Sequence, residues 1–157
     1  MLTRGTASGI LRTQQTKEEA EMNEREKEYR GYYAVITTGD KLIVGELNCY
    51  EVPLEFMQKI VGGYIERVPS PSDKFPFDYY VDDEGMFKHQ LNLTASGIIF
   101  VNWNYKVRQG IYGDMLVLAH DGDITRPLTK EELDTIKKRY EVMHEIVVKY
   151  KEMRNSK

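Results

Sequence analysis

The sequence predicts a single α+β domain, in which a mostly antiparallel sheet carries one short packed helix and a long C-terminal helix. Three observations support this fold class. Short runs of β-branched and aromatic residues are separated by turn residues, as in sheets built from hairpins. An amphipathic run ends at two adjacent glycines, Gly62 and Gly63, and apolar residues recur at helical spacing near the C-terminus. A chain of 157 residues suits one domain.

Composition narrows the classes of function. The net charge is -3, and residues 32–126 hold thirteen acidic and eight basic side chains, which disfavours binding to a phosphate backbone. No apolar run reaches the roughly 18 residues that a membrane span needs, and residues 1–15 lack the apolar core of a secretory signal. A lone cysteine, Cys49, suits a reducing compartment. We therefore expect a cytoplasmic protein without a membrane partner.

The first 30 residues divide into two segments. Residues 1–15 are small, polar and aperiodic, which is typical of a mobile tail. From Thr16 the chain becomes strongly charged, and Thr16 with Glu19 has the spacing of a capping box. The sequence thus predicts a solvent-facing charged helix over residues 16–30, ahead of an α+β core domain over residues 32–128.

The core domain is predicted to begin with a hairpin and a helix. Residues 32–37 and 42–47 are rich in strand formers and flank a turn, so they are expected to pair. Apolar residues repeat at helical spacing over residues 53–61. Gly62 is well placed to take the left-handed C-cap conformation. The chain is then expected to enter another strand at residues 64–68.

A second hairpin is predicted in the middle of the chain. Residues 77–81 and 86–89 are both β-forming runs, and the acidic residues 82–85 between them have the composition of a tight turn. We expect this turn to be solvated, because a calcium loop would need ligands spread over about twelve residues and a distal glutamate.

The remaining core is predicted from continuous apolar runs. Residues 91–97 are expected to be irregular or to form one helical turn. Residues 98–103 and 115–119 are apolar and β-branched, which favours buried strands, and residues 115–119 are the strongest candidate for a core strand. A turn is expected at residues 120–123, since Asp-Gly is a favoured hairpin centre.

The C-terminal helix is predicted over residues 129–154. Thr129 and Glu132 have the spacing of a capping box. An apolar seam then recurs at alternating spacings of three and four. The seam either docks on the sheet or the first helix, or it pairs with a second copy to form a homo-oligomer. Its members are Leu133, Ile136, Tyr140, Met143, Val147 and Tyr150.

Four segments occur in the order seen in a known family. They are MQKIVGGYIERVP (57–69), VDDEGMFKHQLN (81–92), IYGDMLVLA (111–119) and LTKEEL (128–133). Over residues 33–133 the chain resembles the DUF3846 family, a domain family of unknown function found in phages, plasmids and bacteria. It departs from the family where His-Gln-Leu-Asn (89–92) replaces a Leu-Pro-Pro-Asn-like run. The resemblance implies no established activity, but it implies an accessory protein of a mobile element in a bacterial host, for which counter-defence is a hypothesis by association.

No catalytic residue, metal site or cofactor is predicted. His89, His120 and His144 fall on different predicted elements and lack the spacing of zinc ligands. Cys49 has no catalytic context and is expected to be a structural thiol. The sequence contains neither a nucleophile elbow nor a phosphate loop, and the glycine pair follows a helix instead of opening one.

Two surfaces are candidates for ligand binding. In the first, the glycine pair would let the backbone present an aromatic ring and an ion pair, from Tyr64, Glu66 and Arg67. In the second, aromatics interleave with cations, a combination that can stack on a base and neutralise its phosphate. Its members are Trp103, Tyr105, Lys106 and Arg108. The alternatives are a tyrosine that merely covers a sheet edge and a loop without a ligand.

Three hypotheses about function follow. The leading one is a non-catalytic binding protein for a host protein or a small nucleotide. The second is an enzyme acting on a nucleotide-like substrate, with His89 or His120 beside the carboxylates of nearby turns and with Lys106 or Arg108 in the same pocket. The third is a nucleic-acid-binding module on the basic face of residues 137–157.

Overall fold

The computed structural model describes residues 30–68, 75–102 and 110–156. They form an α+β fold, as predicted, in which helices flank a six-stranded antiparallel sheet. The strands are β1 (Arg30–Ile36), β2 (Leu42–Asn48), β3 (Ile65–Val68), β4 (Phe77–Asp82), β5 (Met115–Asp121) and β6 (Ile124–Arg126). The helices are α1 (Leu54–Val61), α2 (Gly85–Lys88), α3 (Leu93–Asn102) and α4 (Lys130–Asn155). Five strands lie in the order β2-β1-β5-β4-β3, and β6 pairs with the end of β5.

Some predictions fall outside the described residues. These are the mobile tail at residues 1–15, nearly all of the charged helix at residues 16–30, and residues 103–109, which hold the second candidate binding surface.

Strand β5 is the centre of the sheet. Its residues Met115 to Ala119 are fully buried, which confirms the predicted core strand. Val117 lies opposite Ala34 of β1 on one side and opposite Tyr79 of β4 on the other. A strand that is buried on both faces can be apolar at every position, and this is why its sequence is a continuous apolar run.

The sheet buries a core on each face. On one face, α3 and α4 pack over a large cluster that contains Tyr79 and Val117. On the other face, α1 packs its buried Met57 and Val61 over a smaller cluster that contains Tyr80. Side chains alternate along a strand, so neighbouring tyrosines of β4 reach opposite cores. Full burial of an apolar side chain such as Val117 stabilises the fold by about 1.5–3 kcal/mol.

The predicted hairpin over residues 77–89 is wrong, because its second run forms α2 instead of a strand. Asp82 ends β4, and its Oδ1 accepts a hydrogen bond from the Glu84 N–H at 3.0 Å. This contact turns the chain, and the Phe87 N–H then donates to the Glu84 C=O at 3.0 Å in the first helical turn. The hairpin partner of β4 is β3, with Ile65 opposite Asp82.

The predicted buried strand at residues 98–103 is also wrong, because Leu93–Asn102 forms α3. The helix is capped by Asn92, whose Oδ1 accepts the Ala95 N–H at 3.0 Å. Residues 91–97, predicted to be irregular or a single turn, therefore contain the helix start. A continuous apolar run fits a buried helix as well as a buried strand, and here the cap selects the helix.

Helix α4 begins at the predicted capping box. Thr129 Oγ1 accepts the Glu132 N–H at 3.1 Å, and Glu132 Oε1 accepts the Thr129 N–H at 2.8 Å. Arg126 of β6 also donates to both carboxylate oxygens of Glu132, at 2.8 and 3.0 Å. Burial raises the pKa of the Glu132 carboxyl, but these contacts outweigh burial and hold the pKa below its usual value. The start of α4 is thus fixed to the sheet.

The apolar seam of α4 packs against the protein's own core. Tyr140 is partly buried, and its OH donates to the Asp40 C=O at 2.6 Å. Tyr150 is exposed. Four further members lie in the large cluster, namely Leu133, Ile136, Met143 and Val147. The seam therefore docks within the chain, one of its two predicted alternatives, and these four side chains cannot contact a second copy in this fold. Self-association stays a prediction.

Candidate functional site: a buried carboxylate beneath an exposed aromatic corner

The glycine pair that follows α1 brings the chain against the end of β4. Gly62 has a φ of 82°, in the left-handed region that favours glycine, which confirms the predicted C-cap. Gly63 is needed for space, because a Cβ there would lie 2.6 Å from Oδ1 of Asp82. The Tyr64 C=O then accepts the Asp83 N–H at 2.9 Å. These contacts join the glycine pair to the end of β4.

Asp82 is a buried carboxylate with three donors. Its Oδ1 accepts the Glu84 N–H at 3.0 Å, and its Oδ2 lies 2.9 Å from His89 Nε2 and 3.4 Å from Lys88 Nζ. Burial raises the pKa of the Asp82 carboxyl, but the three contacts outweigh burial and hold the pKa below its usual value. The expectation that the acidic turn is solvated is therefore wrong for Asp82, which is 2% exposed.

Two more glycines close the packing around α2. Gly113 has a φ of 84°, and a Cβ on it would lie 2.9 Å from His89 Cδ2. A Cβ on Gly85 would lie 2.7 Å from the Tyr112 carbonyl oxygen. The Gly113 N–H donates to the Gln90 C=O at 2.9 Å. Helix α2 is thus held between β4 and the segment that leads into β5.

Asn92 connects this packing to the core. It is fully buried, and its Nδ2 donates to the C=O groups of Ile36 at 2.8 Å and Gly113 at 2.9 Å. Three of the four segments that carry the family resemblance therefore meet at one end of the sheet. The segment at residues 57–69 contributes Gly63, the segment at 81–92 contributes Asp82 and Asn92, and the segment at 111–119 contributes Gly113.

Large apolar side chains project into solvent from this rigid frame. Phe87 on α2 is 84% exposed, and Tyr64 beside the glycine pair is 73% exposed. Met86 on α2 is also exposed. We call these three residues the aromatic corner. Its two segments are joined by the Asp83–Tyr64 backbone hydrogen bond. Exposed aromatic side chains on backbone segments that are fixed to each other are typical of surfaces that bind another protein.

A second polar cluster lies at the other end of β4. Asp78 is buried, and its Oδ1 lies 3.0 Å from His120 Nδ1 and 3.7 Å from Arg67 Nη1. The Tyr80 OH donates to Asp78 Oδ2 at 3.2 Å and lies 3.1 Å from Thr125 Oγ1. Burial raises the pKa of the Tyr80 hydroxyl, and the Asp78 carboxylate adds to this effect. The cluster fixes the His120 ring on a buried carboxylate.

The structure separates the residues of the first predicted surface. Glu66 and Arg67 are both exposed, but they lie on opposite faces of β3 because neighbouring side chains in a strand alternate. Arg67 pairs with Asp78 across the strands and belongs to the second cluster. Tyr64 belongs to the aromatic corner. The second predicted surface, with Trp103, Tyr105, Lys106 and Arg108, lies outside the described residues.

The histidines do not converge on one pocket. Asp82 and Asp78 are four residues apart on β4, about 13 Å at the rise of a strand, and His89 and His120 pair with them at opposite ends. His144 stacks on Tyr140 within α4, with ring centroids 5.2 Å apart. The enzyme hypothesis needs one of these histidines beside a carboxylate, together with Lys106 or Arg108, and residues 106 and 108 lie outside the described residues.

Residues 30–68, 75–102 and 110–156 contain neither a cluster of metal-ligating side chains nor a membrane-spanning helix. None of their histidines, cysteines and acidic residues form a group of three or more that could hold a metal ion. No helix in these three ranges is long and apolar enough to cross a membrane.

A cleft of about 320 Å³ includes Cys49 and Arg126 in its lining. Cys49 is half-buried, and burial raises the pKa of its thiol, which disfavours the reactive thiolate. The Arg126 guanidinium is paired with Asp121 at 2.9 Å and with Glu132. The cleft therefore presents no uncompensated charge from Arg126 to an anion.

Met86 and Phe87 were missed from the sequence because they were assigned to a strand. The signal in the sequence that favours α2 is Asp82, two residues before Glu84. An aspartate often accepts the N–H two residues further on and so starts a turn. A turn of this kind, which starts a helix, fits the sequence here as well as a hairpin centre does.

The fold and this frame define a class of protein: a single α+β domain with an antiparallel sheet between helices. A family model described as "Domain of unknown function (DUF3846)" matches residues 32–141. The chain therefore belongs to this family, as the resemblance predicted. Searches of curated proteins and of solved structures gave no match. The matched region ends inside α4 and leaves its last turns outside.

Proposed function

We infer that this protein is a non-catalytic binding protein that recognises a partner protein through the aromatic corner. The observation that carries the inference is the exposure of Phe87 and Tyr64. Within the described residues, they are the two most exposed large hydrophobic side chains, and both extend from a backbone fixed around Asp82. An exposed aromatic on a rigid backbone loses little conformational entropy on binding, and such residues dominate binding energy at interfaces.

Charge near the corner favours a protein over a nucleotide. Asp83 and Glu84 are exposed between the two segments of the corner, and Lys88 is paired with both Asp82 and Glu84. An acidic surround repels phosphate and attracts basic side chains. The partner class that fits is a protein with an apolar pocket bordered by lysine or arginine.

The family resemblance supports the biological setting of the proposal. The resemblance implies occurrence in phages, plasmids and bacteria. The proposal therefore includes an accessory role in a phage or another mobile element, with counter-defence against a bacterial host as one form of it. The partner is then a host protein.

The test is a comparison of binding by matched variants. Wild-type protein, a Tyr64→Ala/Phe87→Ala double variant and an Ile43→Ala/Leu54→Ala control serve as baits in a bacterial lysate. The control removes exposed apolar side chains from β2 and α1. A partner identified with wild type is then purified and titrated. We expect the corner variant to weaken binding by at least about 30-fold and the control by less than about 3-fold. Equal losses in the two variants would refute the proposal.

A second candidate function is an enzyme acting on a nucleotide-like substrate at the Asp78–His120 cluster. The cluster offers an imidazole, oriented by a buried carboxylate, as a proton acceptor, and a largely exposed arginine as a cation for a phosphate. Addition of nucleotides should then shift the NMR signals of His120, and Arg67→Ala should remove the shift. Unchanged His120 signals at millimolar nucleotide would exclude this candidate.

A further inference from the structure

Helix α4 carries a second apolar stripe that the described fold leaves exposed. Its residues follow one another at spacings of four, four and three, and each is about half exposed or more. They are Val142, Ile146, Tyr150 and Met153. Only Tyr150 belongs also to the apolar seam predicted from the sequence. The stripe is about 17 Å long at the rise of an α-helix, which is three turns.

The stripe lies on the flank of α4. At 100° per residue, its centre is roughly 100° around the helix from the centre of the buried residues Ile136, Met143 and Val147. A second helix can therefore lie beside α4 without disturbing the core. The stripe also lies beyond residue 141, where the family match ends.

We propose that the stripe binds a second copy of this chain, with the two α4 helices antiparallel. The charged residues that border the stripe favour a second copy of the chain as its partner, and they favour the antiparallel direction. Glu145 and Lys149 lie along one border and pair within the chain at 3.3 Å. If two antiparallel helices cross between residues 147 and 148, Glu145 of each chain lies near Lys149 of the other. In a parallel two-fold pair, the two copies of this border would lie on opposite sides of the seam, so Glu145 of one chain would not meet Lys149 of the other.

The apolar residues fit the same arrangement. The crossing that joins Glu145 to Lys149 also places Val142 of one chain opposite Met153 of the other, and Ile146 near Tyr150. Every contact then occurs twice, as a two-fold interface requires. Three turns give a contact smaller than the roughly 800 Å² per partner of a standard interface, so the dimer dissociates at about micromolar to tens of micromolar concentration.

Sedimentation equilibrium of the full chain from about 5 to about 500 µM tests the proposal, since this range spans the expected dissociation constant. The apparent mass should rise from monomer to dimer. Ile146→Glu should stay monomeric throughout. Val148→Glu is the matched control, because Val148 is exposed on the same helix but away from the stripe. This control should dimerise like wild type, and circular dichroism should show both variants folded.

Charge exchange tests the antiparallel direction. Glu145→Lys and Lys149→Glu should each weaken the dimer at least about 5-fold, and the double variant should recover it. A monomeric wild type over the whole range overturns the proposal, as does equal weakening by Ile146→Glu and Val148→Glu. For a monomer, hydroxyl-radical labelling of Tyr150 and Met153 distinguishes the other outcomes. Slow labelling would show that another part of the same chain, such as residues 1–29, covers the stripe. Fast labelling would show that the stripe is a free surface.

Discussion

His89 Nε2 lies 2.9 Å from Oδ2 of Asp82, and this contact joins helix α2 to the last residue of β4. The same carboxylate also accepts the Glu84 N–H and contacts Lys88. Since α2 carries Phe87, the orientation of the aromatic corner depends on one buried acid. A change at Asp82 therefore tests this supporting frame without altering any residue of the aromatic corner.

Asp82→Ala should lower the free energy of unfolding by about 2–4 kcal/mol, because the Glu84 N–H and the His89 ring lose a charged, buried acceptor. Urea denaturation at pH 7, followed by circular dichroism, measures the change. Asp83→Ala is the control. Asp83 is exposed, and its contact with Tyr64 uses the backbone N–H, so the control should stay within about 0.5 kcal/mol of wild type. Similar effects of the two variants would contradict the prediction.

Acid should weaken the fold through Asp82 and Glu132. The pKa values of both carboxyls are lowered in the folded state from ordinary values of 3.8 and 4.5. A lowered folded pKa contributes stability that is complete above the unfolded pKa and is lost as pH falls through the folded pKa. Their contribution to the urea midpoint should therefore be constant from pH 7 to about 5.5 and fall below about pH 4.5.

Asp82→Asn and Glu132→Gln should each make this acid decline shallower. The measurement is the urea midpoint of each variant between pH 7 and pH 3. Curves for the variants that run parallel to the wild-type curve would show that neither carboxyl contributes to the acid sensitivity.

Gly63→Ala should destabilise the protein by about 2–3 kcal/mol, because the added Cβ would meet Asp82 Oδ1 at 2.6 Å and displace the carboxylate. Gly62→Ala should cost only about 1 kcal/mol, since its site is open and the cost arises from the positive φ. In a double-mutant cycle, Gly63→Ala with Asp82→Ala should cost at least about 1 kcal/mol less than the sum of the single changes. Gly62→Ala with Asp82→Ala should be additive, and coupling of equal size in both cycles would contradict the steric explanation.

Gly97→Ala should disturb the packing of α3 on α4. A Cβ on Gly97 would lie 2.3 Å from Met143 Sδ, so the flexible methionine must move, at a cost of about 1–2 kcal/mol. Met143→Ala removes the clash but leaves a cavity that costs about 2–4 kcal/mol. Thermal unfolding should show that the double variant is more stable than the sum predicts by about 1 kcal/mol. Leu133→Ala is the control partner for Gly97→Ala, and additivity in both cycles would contradict the contact.

The strands were predictable where burial leaves a local pattern. The run at residues 115–119 is apolar on both faces because β5 lies between β1 and β4, and the hairpin of β1 and β2 is marked by its turn. Helices α2 and α3 were not predicted. A four-residue helix has no periodicity to detect, and the apolar run of α3 is compatible with a strand. Only Asn92, a local capping residue, distinguished the two.

The candidate site was predictable only in part. Tyr64 was identified because the glycine pair beside it is visible in the sequence. The residues around Asp82 were not identified, because His89 reaches it through an unexpected helical turn and Gly113, which packs on His89, belongs to a distant segment. Five of the six predicted seam residues pack in or against the core, and Tyr150 does not. The sequence left open whether the seam forms part of a core or a dimer, since one apolar pattern suits both equally well.

The central position of β5 has a consequence for how the chain folds. Strand β1 cannot pair with β5 until a segment about 80 residues further along the chain has been synthesised, since Ile36 lies opposite Met115. Until β5 leaves the ribosome, β1 with β2 and β3 with β4 are hairpins whose inner edges have no partner in the sheet. Exposed strand edges favour aggregation. A chain that is cut short before residue 121 should therefore aggregate instead of folding, and the intact chain should fold slowly for its size.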